Sequence, residues 1–337
     1  MKNYSVGILG ATGAVGQTML KVLAERNFPI SELRLLASSR SAGKKVMFKD
    51  QELTIIEATK DAFNGLDIVL GAADNAIAKE FKDAIVESGA IFIDNSSAFR
   101  LDEDVPLVVP EVNKDDVCLH HGVIANPNCV TIIALTAIQA LHKEATIKRL
   151  IASTYQAVSG AGVGGIRELE EQTKALSNNE DIVCKTFPYQ IAYNVIPQIG
   201  GFNEEGYTSE EMKLQFEGRK ILHAPDMLVN CTCVRIPVYT SHSESITMEF
   251  EKPLSVDRAK ELIANAEGCK LVDNPETKLY PMPLDTSDQD LVYVGRIRKD
   301  ISSDNALTLF CCGDQLRKGA ATNAIQIAEA LIEKQVI

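Results

Sequence analysis

Cys129 is the residue whose type and position could do covalent chemistry. It follows Asn126-Pro127-Asn128 and precedes an apolar helical pattern over Val130–Leu141. Pro127 favours a turn, and the free N–H groups and positive dipole end of a helix lower the pKa of a thiol at its start. The same N–H groups could bind an oxyanion on a substrate attached to the sulfur. From spacing alone, a nucleophile and an ordinary buried cysteine are equally favoured.

A glycine-rich turn, Gly7-Ile-Leu-Gly10-Ala-Thr-Gly13-Ala-Val-Gly16, joins an apolar strand pattern to a helical pattern. Glycines at such a junction permit a tight turn and let the backbone approach a pyrophosphate, while the helix start offers its free N–H groups. A P-loop is excluded because no Gly-Lys-Ser/Thr follows, which leaves a plain tight turn as the alternative. The turn predicts a dinucleotide site contacted by Gly10, Thr12, Gly13, Ala14 and Val15.

The segment after the second predicted strand indicates which dinucleotide is bound. It reads Ala37-Ser-Ser-Arg-Ser-Ala-Gly-Lys44 and contains no acidic residue. An Asp or Glu there binds the NAD ribose and would repel a 2′-phosphate, whereas hydroxyls and cations would hold one. We therefore expect NADP, with Ser39, Arg40, Ser41 and Lys44 at its adenosine end. The alternative is a solvated basic loop.

A dinucleotide site and an activated cysteine together indicate acyl chemistry at a thiol. The thiolate takes up an acyl group as a thioester, and the nicotinamide exchanges a hydride at that carbon. No metal is required, and the cysteine spacings match no zinc site. The chemistry needs a base, for which spacing leaves five equal candidates: His120, His121, His142, His223 and His242. A Cys–His hydrolase would explain neither the glycine turn nor the basic segment.

The composition narrows the class of protein that carries these residues. A chain of 337 residues, 45% hydrophobic and 24% charged, predicts a globular protein of two domains. The net charge of −12 argues against nucleic acid and anionic membranes as partners. The start of the chain does not read as a signal peptide, and no apolar run reaches the ~18 residues of a membrane span. We expect a cytoplasmic protein whose eight cysteines form no disulfides.

The elements that must position these residues fall into two groups. The first third alternates strand and helix patterns, which predicts a parallel doubly wound sheet with strands at Tyr4–Leu9, Leu33–Ala37, Asp67–Ala72, Ala90–Asp94 and Val105–Val109. From about Asn128 the strand patterns lengthen, which predicts an α+β second domain. Asn178–Glu210 is irregular, and Lys318–Gln335 reads as a helix. The predicted fold is α/β, with an N-terminal Rossmann-type domain followed by the α+β domain.

Several spaced motifs resemble the aspartate-β-semialdehyde dehydrogenase family nearly end to end. They include the glycine turn, Asp94-Asn-Ser-Ser-Ala-Phe-Arg100, Asn126-Pro-Asn-Cys129, Thr154-Tyr-Gln-Ala-Val-Ser-Gly-Ala-Gly162, Phe216-Glu-Gly-Arg-Lys220, Val234-Arg-Ile-Pro-Val-Tyr-Thr-Ser-His242 and Gly313-Asp-Gln315. The resemblance implies NADPH-dependent conversion of L-aspartyl 4-phosphate to aspartate semialdehyde, in the biosynthesis of lysine, threonine and methionine. It also implies a homodimer, with a tetramer left open. We expect residues 1–127 with 315–337 to bind NADP, and 128–314 to form the catalytic and dimerisation domain.

The resemblance implies a role for each site residue. Cys129 is the nucleophile, Gln156 orients the acyl group, and His242 is the general acid and base. Arg235 binds the substrate carboxylate, and Glu217 faces its ammonium group. Arg100 and Lys220 bind the phosphate with Asn128, while Ser159, Gly160 and Gln315 approach the cofactor. Two alternatives stay open: an N-acetyl-γ-glutamyl-phosphate reductase, for which Glu217 would have no ammonium to face, and a non-catalytic NADP-binding relative.

Overall fold

The computed structural model describes residues 2–337 and divides into two compact units. The first contains the residues up to Asn128 together with Ala320–Ile337, and the second contains Cys129–Gly319. Within residues 2–337, no helix is long and apolar enough to cross a membrane. All eight cysteines are free thiols.

A six-stranded parallel sheet forms the centre of the first unit. Its strands are β1 (Tyr4–Leu9), β2 (Ile30–Ala37), β5 (Ile56–Glu57), β6 (Ile68–Gly71), β7 (Ile91–Asp94) and β8 (Val123–Ala125), in the order β5-β2-β1-β6-β7-β8. A separate hairpin joins β3 (Lys45–Phe48) to β4 (Gln51–Thr54). The strand order reverses between β1 and β6, which is where open parallel sheets bind ligands beyond the carboxyl ends of their strands.

The helices of the first unit cover this sheet and confirm the predicted Rossmann-type fold. They are α1 (Ala14–Glu25), α2 (Asn75–Glu87), α3 (Pro110–Asn113) and α9 (Asn323–Glu333). Met19 of α1 and Leu331 of α9 belong to one buried apolar core with Ile8 of β1. The strand predicted over Val105–Val109 was wrong, because only a single bridge forms there, at Leu107. Pro106 lies inside the predicted strand and Pro110 directly follows it, and neither has the N–H group that a strand ladder requires.

The second unit is built on a mixed six-stranded sheet. Its strands are β9 (Ile147–Gln156), β10 (Leu228–Arg235), β11 (His242–Phe250), β12 (Cys269–Leu271), β13 (Val292–Lys299) and β14 (Ala306–Gly313). They lie in the order β10-β9-β11-β14-β13-β12. The pairs β9–β10 and β12–β13 are parallel, and the other three are antiparallel. This sheet confirms the predicted α+β character.

The helices of the second unit are α4 (Cys129–Ala145), α5 (Gly162–Asn178), α6 (Ser209–Ile221), α7 (Val256–Ala264) and α8 (Pro283–Thr286). Twelve of the 17 residues of α4 are buried, and the helix packs against β11, β13 and β14. Between α5 and α6, residues 179–208 form only isolated bridges, as the sequence predicted. A π-helical turn at Arg317–Thr322 precedes α9, so the regular C-terminal helix starts later than predicted.

Candidate active site

Three strands of the second sheet bring polar side chains to one edge. Gln156 ends β9 and Arg235 ends its parallel neighbour β10, and the two residues are paired in register. His242 begins β11, which runs antiparallel to β9 and therefore starts at this same edge. All three side chains are buried, with exposed fractions of 2%, 6% and 0%. The sheet topology thus assembles a glutamine, an arginine and a histidine that the sequence separates widely.

The imidazole of His242 is held in one tautomer. Its Nδ1 accepts a hydrogen bond of 3.1 Å from the backbone N–H of Ala157, so the neutral ring carries its proton on Nε2. Nε2 has no hydrogen-bond partner among residues 2–337. Burial, and after it the positive charge of Arg235, lower the pKa of His242 to about 3, and the nearby carboxylate of Glu210 opposes the shift. The ring therefore presents an N–H donor at neutral pH.

Arg235 lies against the loop that follows β9. Its Nη1 donates a hydrogen bond of 2.7 Å to the backbone carbonyl of Ala157. A Cβ atom at Gly160 would lie 2.7 Å from Nη1 and 3.3 Å from Cε1 of His242, so the close approach requires glycine. Burial lowers the pKa of Arg235, while the negative charges of Glu210 and Cys129 act in the opposite direction. The guanidinium is therefore within electrostatic reach of the thiol.

Cys129 occupies the first position of α4, at the helix start that the sequence predicted. Its side chain is half-buried, whereas Cys231, Cys233, Cys311 and Cys312 are fully enclosed. Burial raises the pKa of Cys312 to about 12, and it holds the pKa of Cys311 well above its usual range. Cys129 is therefore the thiol that combines access with a helix N-terminus.

Gln315 links the chain after β14 to the same edge of the sheet. Its Oε1 accepts a hydrogen bond of 2.8 Å from the backbone N–H of Ser241, and its Nε2 donates to Oγ of Ser159. Ser241 precedes His242 and has a φ of 70°, a left-handed conformation that is uncommon outside glycine. Gln315 therefore supports the strained turn that presents His242.

Glu210 is a residue of this cluster that the sequence did not single out. Its Oε1 accepts a hydrogen bond of 3.1 Å from Nε2 of Gln156, and its Oε2 lies 2.7 Å from Nζ of Lys213. It is the second residue of α6 and is 8% exposed. Oε1 of Gln156 accepts a hydrogen bond of 3.0 Å from the Thr154 hydroxyl, so both ends of the amide are fixed. The carboxylate that contacts Gln156 is therefore Glu210.

Glu217 and Lys220 lie further along the same helix. Glu217 is seven residues beyond Glu210, which corresponds to about 10 Å along the helix axis at 1.5 Å per residue. Its side chain is 2% exposed, and Lys220 is half-buried near the end of α6. No hydrogen bond or ion pair described for residues 2–337 joins either of them to Gln156, Arg235 or His242.

Arg100 and Asn128 belong to the first unit and are both buried there. Arg100 donates from Nε to the backbone carbonyl of Asn126 at 3.0 Å and from Nη2 to that of Asn95 at 2.7 Å. The Asn126 side chain in turn donates to Oδ1 of Asn95 and accepts from Asn323. The backbone carbonyls of Asn95 and Asn126 thus position the Arg100 guanidinium.

A cavity of about 310 Å³ opens beside the glycine turn at the carboxyl ends of the strands in the first unit. It is lined by Leu9, Gly10, Thr12, Ala37, Ser38, Ser39, Glu57, Ala58, Ala73, Ile77, Glu80 and Phe81. Gly10 has a φ of 91°, and a Cβ atom there would lie 2.5 Å from the carbonyl oxygen of Ala72. The helix that begins at Ala14 offers its first N–H groups after this turn. Turn, helix start and cavity fit a dinucleotide.

The basic segment contributes only partly to the lining of this cavity. Ser39 lines it, whereas Arg40, Ser41 and Lys44 are outside the lining, and Arg40 and Lys44 are exposed. The acidic Glu57 does line it, because β5 pairs beside β2 and puts Glu57 opposite Ala37. The Glu57 carboxylate, on the neighbouring strand β5, therefore lies at the predicted adenosine end of the cavity. The sequence of the second strand alone could not predict it.

Comparison with known proteins identifies both units. The family model for the semialdehyde dehydrogenase NAD binding domain matches residues 5–120, and the model for the semialdehyde dehydrogenase dimerisation domain matches residues 138–318. The aspartate-semialdehyde dehydrogenase of Aquifex aeolicus is 50% identical over 338 residues, which covers 99% of each chain.

Solved structures give the same result. The structure of aspartate semialdehyde dehydrogenase II from Vibrio cholerae complexed with ASA matches with a TM-score of 0.96 at 41% identity and covers 99% of both chains. The aspartate semialdehyde dehydrogenase of Candida albicans, solved with NADP, matches with a TM-score of 0.77 at 26% identity over all of both chains.

Proposed function

Because the chain belongs to the aspartate-semialdehyde dehydrogenase family, we propose that it converts L-aspartyl 4-phosphate to L-aspartate 4-semialdehyde through a thioester on Cys129. The product would feed the biosynthesis of lysine, threonine and methionine. The observation that carries this proposal is the edge of the second sheet, where Gln156, Arg235 and His242 are buried together. Cys129 supplies the nucleophile from the start of α4, and its sulfur forms a bond to the acyl carbon as phosphate leaves.

The tautomer of His242 supports a proton cycle at a single atom. Its Nε2 carries the proton, because Nδ1 accepts the N–H of Ala157. Nε2–H donates to the acyl oxygen as negative charge develops there and transfers its proton to that oxygen, which leaves the ring as an imidazolate that the Ala157 N–H and the Arg235 charge stabilise. The imidazolate takes the proton back when the bond between the carbon and the Cys129 sulfur breaks. The imidazole thus ends each turnover as it began, neutral and protonated at Nε2.

The charged groups around this edge match the two ends of the substrate. The planar guanidinium of Arg235 suits the α-carboxylate, because it can bind both oxygens at once. The Glu210 carboxylate, one hydrogen bond from Gln156, suits the α-ammonium group. Arg100, together with Asn128, is proposed to bind the phosphate. The roles implied by the family resemblance for Glu217 and Lys220 stay predictions.

The first unit supports binding of NADP beside the glycine turn. Gly10, Thr12, Gly13, Ala14 and Val15 would hold the pyrophosphate, and Ser39 would contact the adenosine end, with Arg40, Ser41 and Lys44 near it. Ser159, Gly160 and Gln315 would position the reactive end. When bound, NADPH supplies a hydride to the acyl carbon. Because Glu57 lines the same cavity, we expect the preference for NADP over NAD to be moderate rather than absolute.

The outer face of the second sheet supports a homodimer. Ile151 and Tyr155 of β9 are each 37% exposed, and Leu228 of β10 is 58% exposed. The Tyr155 ring packs at 6.2 Å from the ring of Phe310, which extends this apolar face to β14. Apolar faces of this kind are typical of protein interfaces. The match to a dimerisation domain over residues 138–318 supports the same interface.

Phosphate-dependent reduction of NADP with aspartate semialdehyde tests the proposed function. Wild type should show this activity, and Cys129→Ala should lower kcat by at least about 10³-fold, as removal of a covalent nucleophile does. Cys118→Ala, which removes an exposed thiol, is the matched control and should leave kcat unchanged. Activity retained by Cys129→Ala would contradict the thioester. Turnover of the N-acetylglutamyl substrate alone would contradict the substrate assignment.

A further inference from the structure

The segment Val183–Ile196, here called the clamp loop, is packed against the catalytic edge without regular secondary structure. It lies between α5 and α6 and contains no helix or strand beyond a bridge at Ile196. Nevertheless Phe187 and Ile191 are buried in a small apolar cluster with Leu169 of α5. Most other residues of the clamp loop are exposed, but the backbone N–H groups around these buried side chains need partners, because each unpaired buried group costs about 1–3 kcal/mol.

Glu168 of α5 supplies these partners for the first part of the clamp loop. Its Oε2 accepts hydrogen bonds from the backbone N–H groups of Lys185, at 2.9 Å, and of Thr186. Its Oε1 accepts one from the N–H of Phe187 at 3.3 Å. Burial alone would raise the pKa of Glu168, but these N–H groups lower it overall, so the carboxylate is ionised at neutral pH. The Glu168 carboxylate therefore accepts hydrogen bonds from three consecutive backbone N–H groups.

Gln172, one helical turn after Glu168, holds the second part of the clamp loop. Its Oε1 accepts hydrogen bonds from the backbone N–H groups of Ile191 at 2.8 Å and Ala192 at 3.1 Å. Its Nε2 donates to Oε1 of Glu168 and to the carbonyl of Val183, both at 3.2 Å. The two side chains are four residues apart and so share one face of α5. Together, Glu168 and Gln172 accept the backbone hydrogen bonds that a neighbouring β-strand would otherwise accept.

The clamp loop contacts Arg235 at both its backbone and its side chain. Ile196 donates its N–H to the carbonyl of Arg235 at 2.9 Å and accepts the N–H of Arg235 at 2.8 Å. The ring of Phe187 lies 5.9 Å from Cζ of the guanidinium, within the range of a cation–π contact. The Phe187 amide is one of the three that Glu168 holds. A shift of the loop would therefore move the surface on which the guanidinium rests.

We propose that Glu168 is a positioning residue for Arg235, acting through the amide and ring of Phe187. This inference rests on the proposed function, in which Arg235 binds the α-carboxylate of the substrate. Glu168 itself does not touch substrate. Its negative charge fixes the clamp loop, and the loop sets the orientation in which the guanidinium can bind both carboxylate oxygens. Substitution of Glu168 would leave the guanidinium charged, so the effect of Arg235 on the pKa of His242 would be retained.

Two aldehydes separate this role from a general structural one. Aspartate semialdehyde carries the α-carboxylate, and 3-aminopropanal lacks it. Glu168→Gln should lower kcat/KM for aspartate semialdehyde about tenfold, mostly through KM, which corresponds to ~1.4 kcal/mol. The same variant should leave kcat/KM for 3-aminopropanal within about twofold of wild type, since that substrate makes no use of Arg235. Glu170→Gln, an exposed carboxylate on the same helix, is the matched control and should change neither value.

Equal losses for both aldehydes, or no loss for either, would overturn the proposal. Phe187→Leu provides a second test if Glu168→Gln fails to fold, because it removes only the ring on the guanidinium and should show the same selective loss. Arg235→Lys tests the proposed role of Arg235 separately from the proposed role of Glu168. If wild type prefers aspartate semialdehyde to 3-aminopropanal and Arg235→Lys does not, binding of the α-carboxylate by Arg235 is established. An unchanged Glu168→Gln variant would then overturn the role of Glu168 alone.

Discussion

At the scale of residues, the choice between two carboxylates on α6 depends on their distance from Gln156. Glu210 accepts a hydrogen bond from Gln156 and influences the pKa of both Arg235 and His242. Glu217 is buried about two helical turns away. This hydrogen bond favours Glu210 as the carboxylate that meets the ammonium group of a substrate whose acyl end lies at Gln156.

The matched pair Glu210→Gln and Glu217→Gln tests this assignment. Loss of a charge-assisted hydrogen bond costs about 1.5–3 kcal/mol, so Glu210→Gln should raise KM for aspartate semialdehyde by about 10- to 100-fold. Glu217→Gln should leave KM within about threefold of wild type. Steady-state kinetics at saturating phosphate and NADP measure both values. The reverse pattern would return the ammonium site to Glu217, as the family resemblance implied.

At the scale of elements, β11 carries two buried ionisable groups whose pKa values are shifted by burial in opposite directions. His242 and Glu244 are two residues apart and point to the same buried face. Neither carboxylate oxygen of Glu244 has a hydrogen-bond partner among residues 2–337. Burial raises the pKa of Glu244 well above its usual value of 4.5, and the nearby Cys233 adds to this shift. The folded protein therefore keeps Glu244 protonated where the unfolded chain releases its proton.

This difference predicts how stability depends on pH. Above about pH 4.5 the unfolded chain binds fewer protons than the folded protein, so Glu244 makes the free energy of unfolding fall by up to ~1.4 kcal/mol per pH unit. Glu244→Gln removes this decline, so its stability relative to wild type should increase from pH 5 to pH 8. Urea unfolding at several pH values measures the difference. His242, with its pKa lowered to about 3, contributes the opposite slope between pH 3 and 6.5, but equally in both proteins.

Glu249→Gln, near the other end of β11, is the control for this comparison. Glu249 is half-buried and pairs with Lys148 at 2.8 Å, so its carboxylate keeps a partner in the folded state. Its substitution should not reproduce the growing advantage at higher pH. A stability difference between Glu244→Gln and wild type that stays constant from pH 5 to pH 8 would contradict the protonated state of Glu244.

At the scale of the whole molecule, the net charge of −12 describes the surface rather than the sites. The proposed ligands are anions, and the positive charge they need comes from single buried groups such as Arg100 and Arg235. The outer face of the second sheet exposes apolar side chains on adjacent strands, namely Ile151 and Tyr155 of β9 and Leu228 of β10. We infer that a second copy of the chain covers it.

Substitution of Ile151 on this face tests the homodimer. Ile151→Glu would bury a charge in the interface, which costs several kcal/mol unless the charge is paired, so it should dissociate the assembly. Leu284→Glu, on an 85% exposed side chain of α8, is the matched control. Light scattering after size exclusion should give twice the chain mass of 36.7 kDa for wild type and the control, and the single mass for Ile151→Glu. A single mass for wild type would contradict the homodimer.

The sequence by itself determined the features that depend on near neighbours. The alternation of strand and helix patterns predicted the parallel sheet of the first unit, and the glycine spacing predicted the turn at Gly10. The position of Cys129 at the start of α4 was likewise readable, because a turn and a helix start are encoded within a few residues. The strand predicted at Val105–Val109 forms only a single bridge, because Pro106 within it has no N–H group for a ladder.

Only the tertiary structure decided which distant residues meet. Spacing left five histidines equal, and the pairing of β9 with β10 and β11 is what brings His242 beside Gln156 and Arg235. The packing of α6 against β10 brings Glu210 to Gln156, while β5 carries Glu57 to the cofactor cavity. Strand order and register arise from burial across the whole sheet, and no local pattern of residues records them.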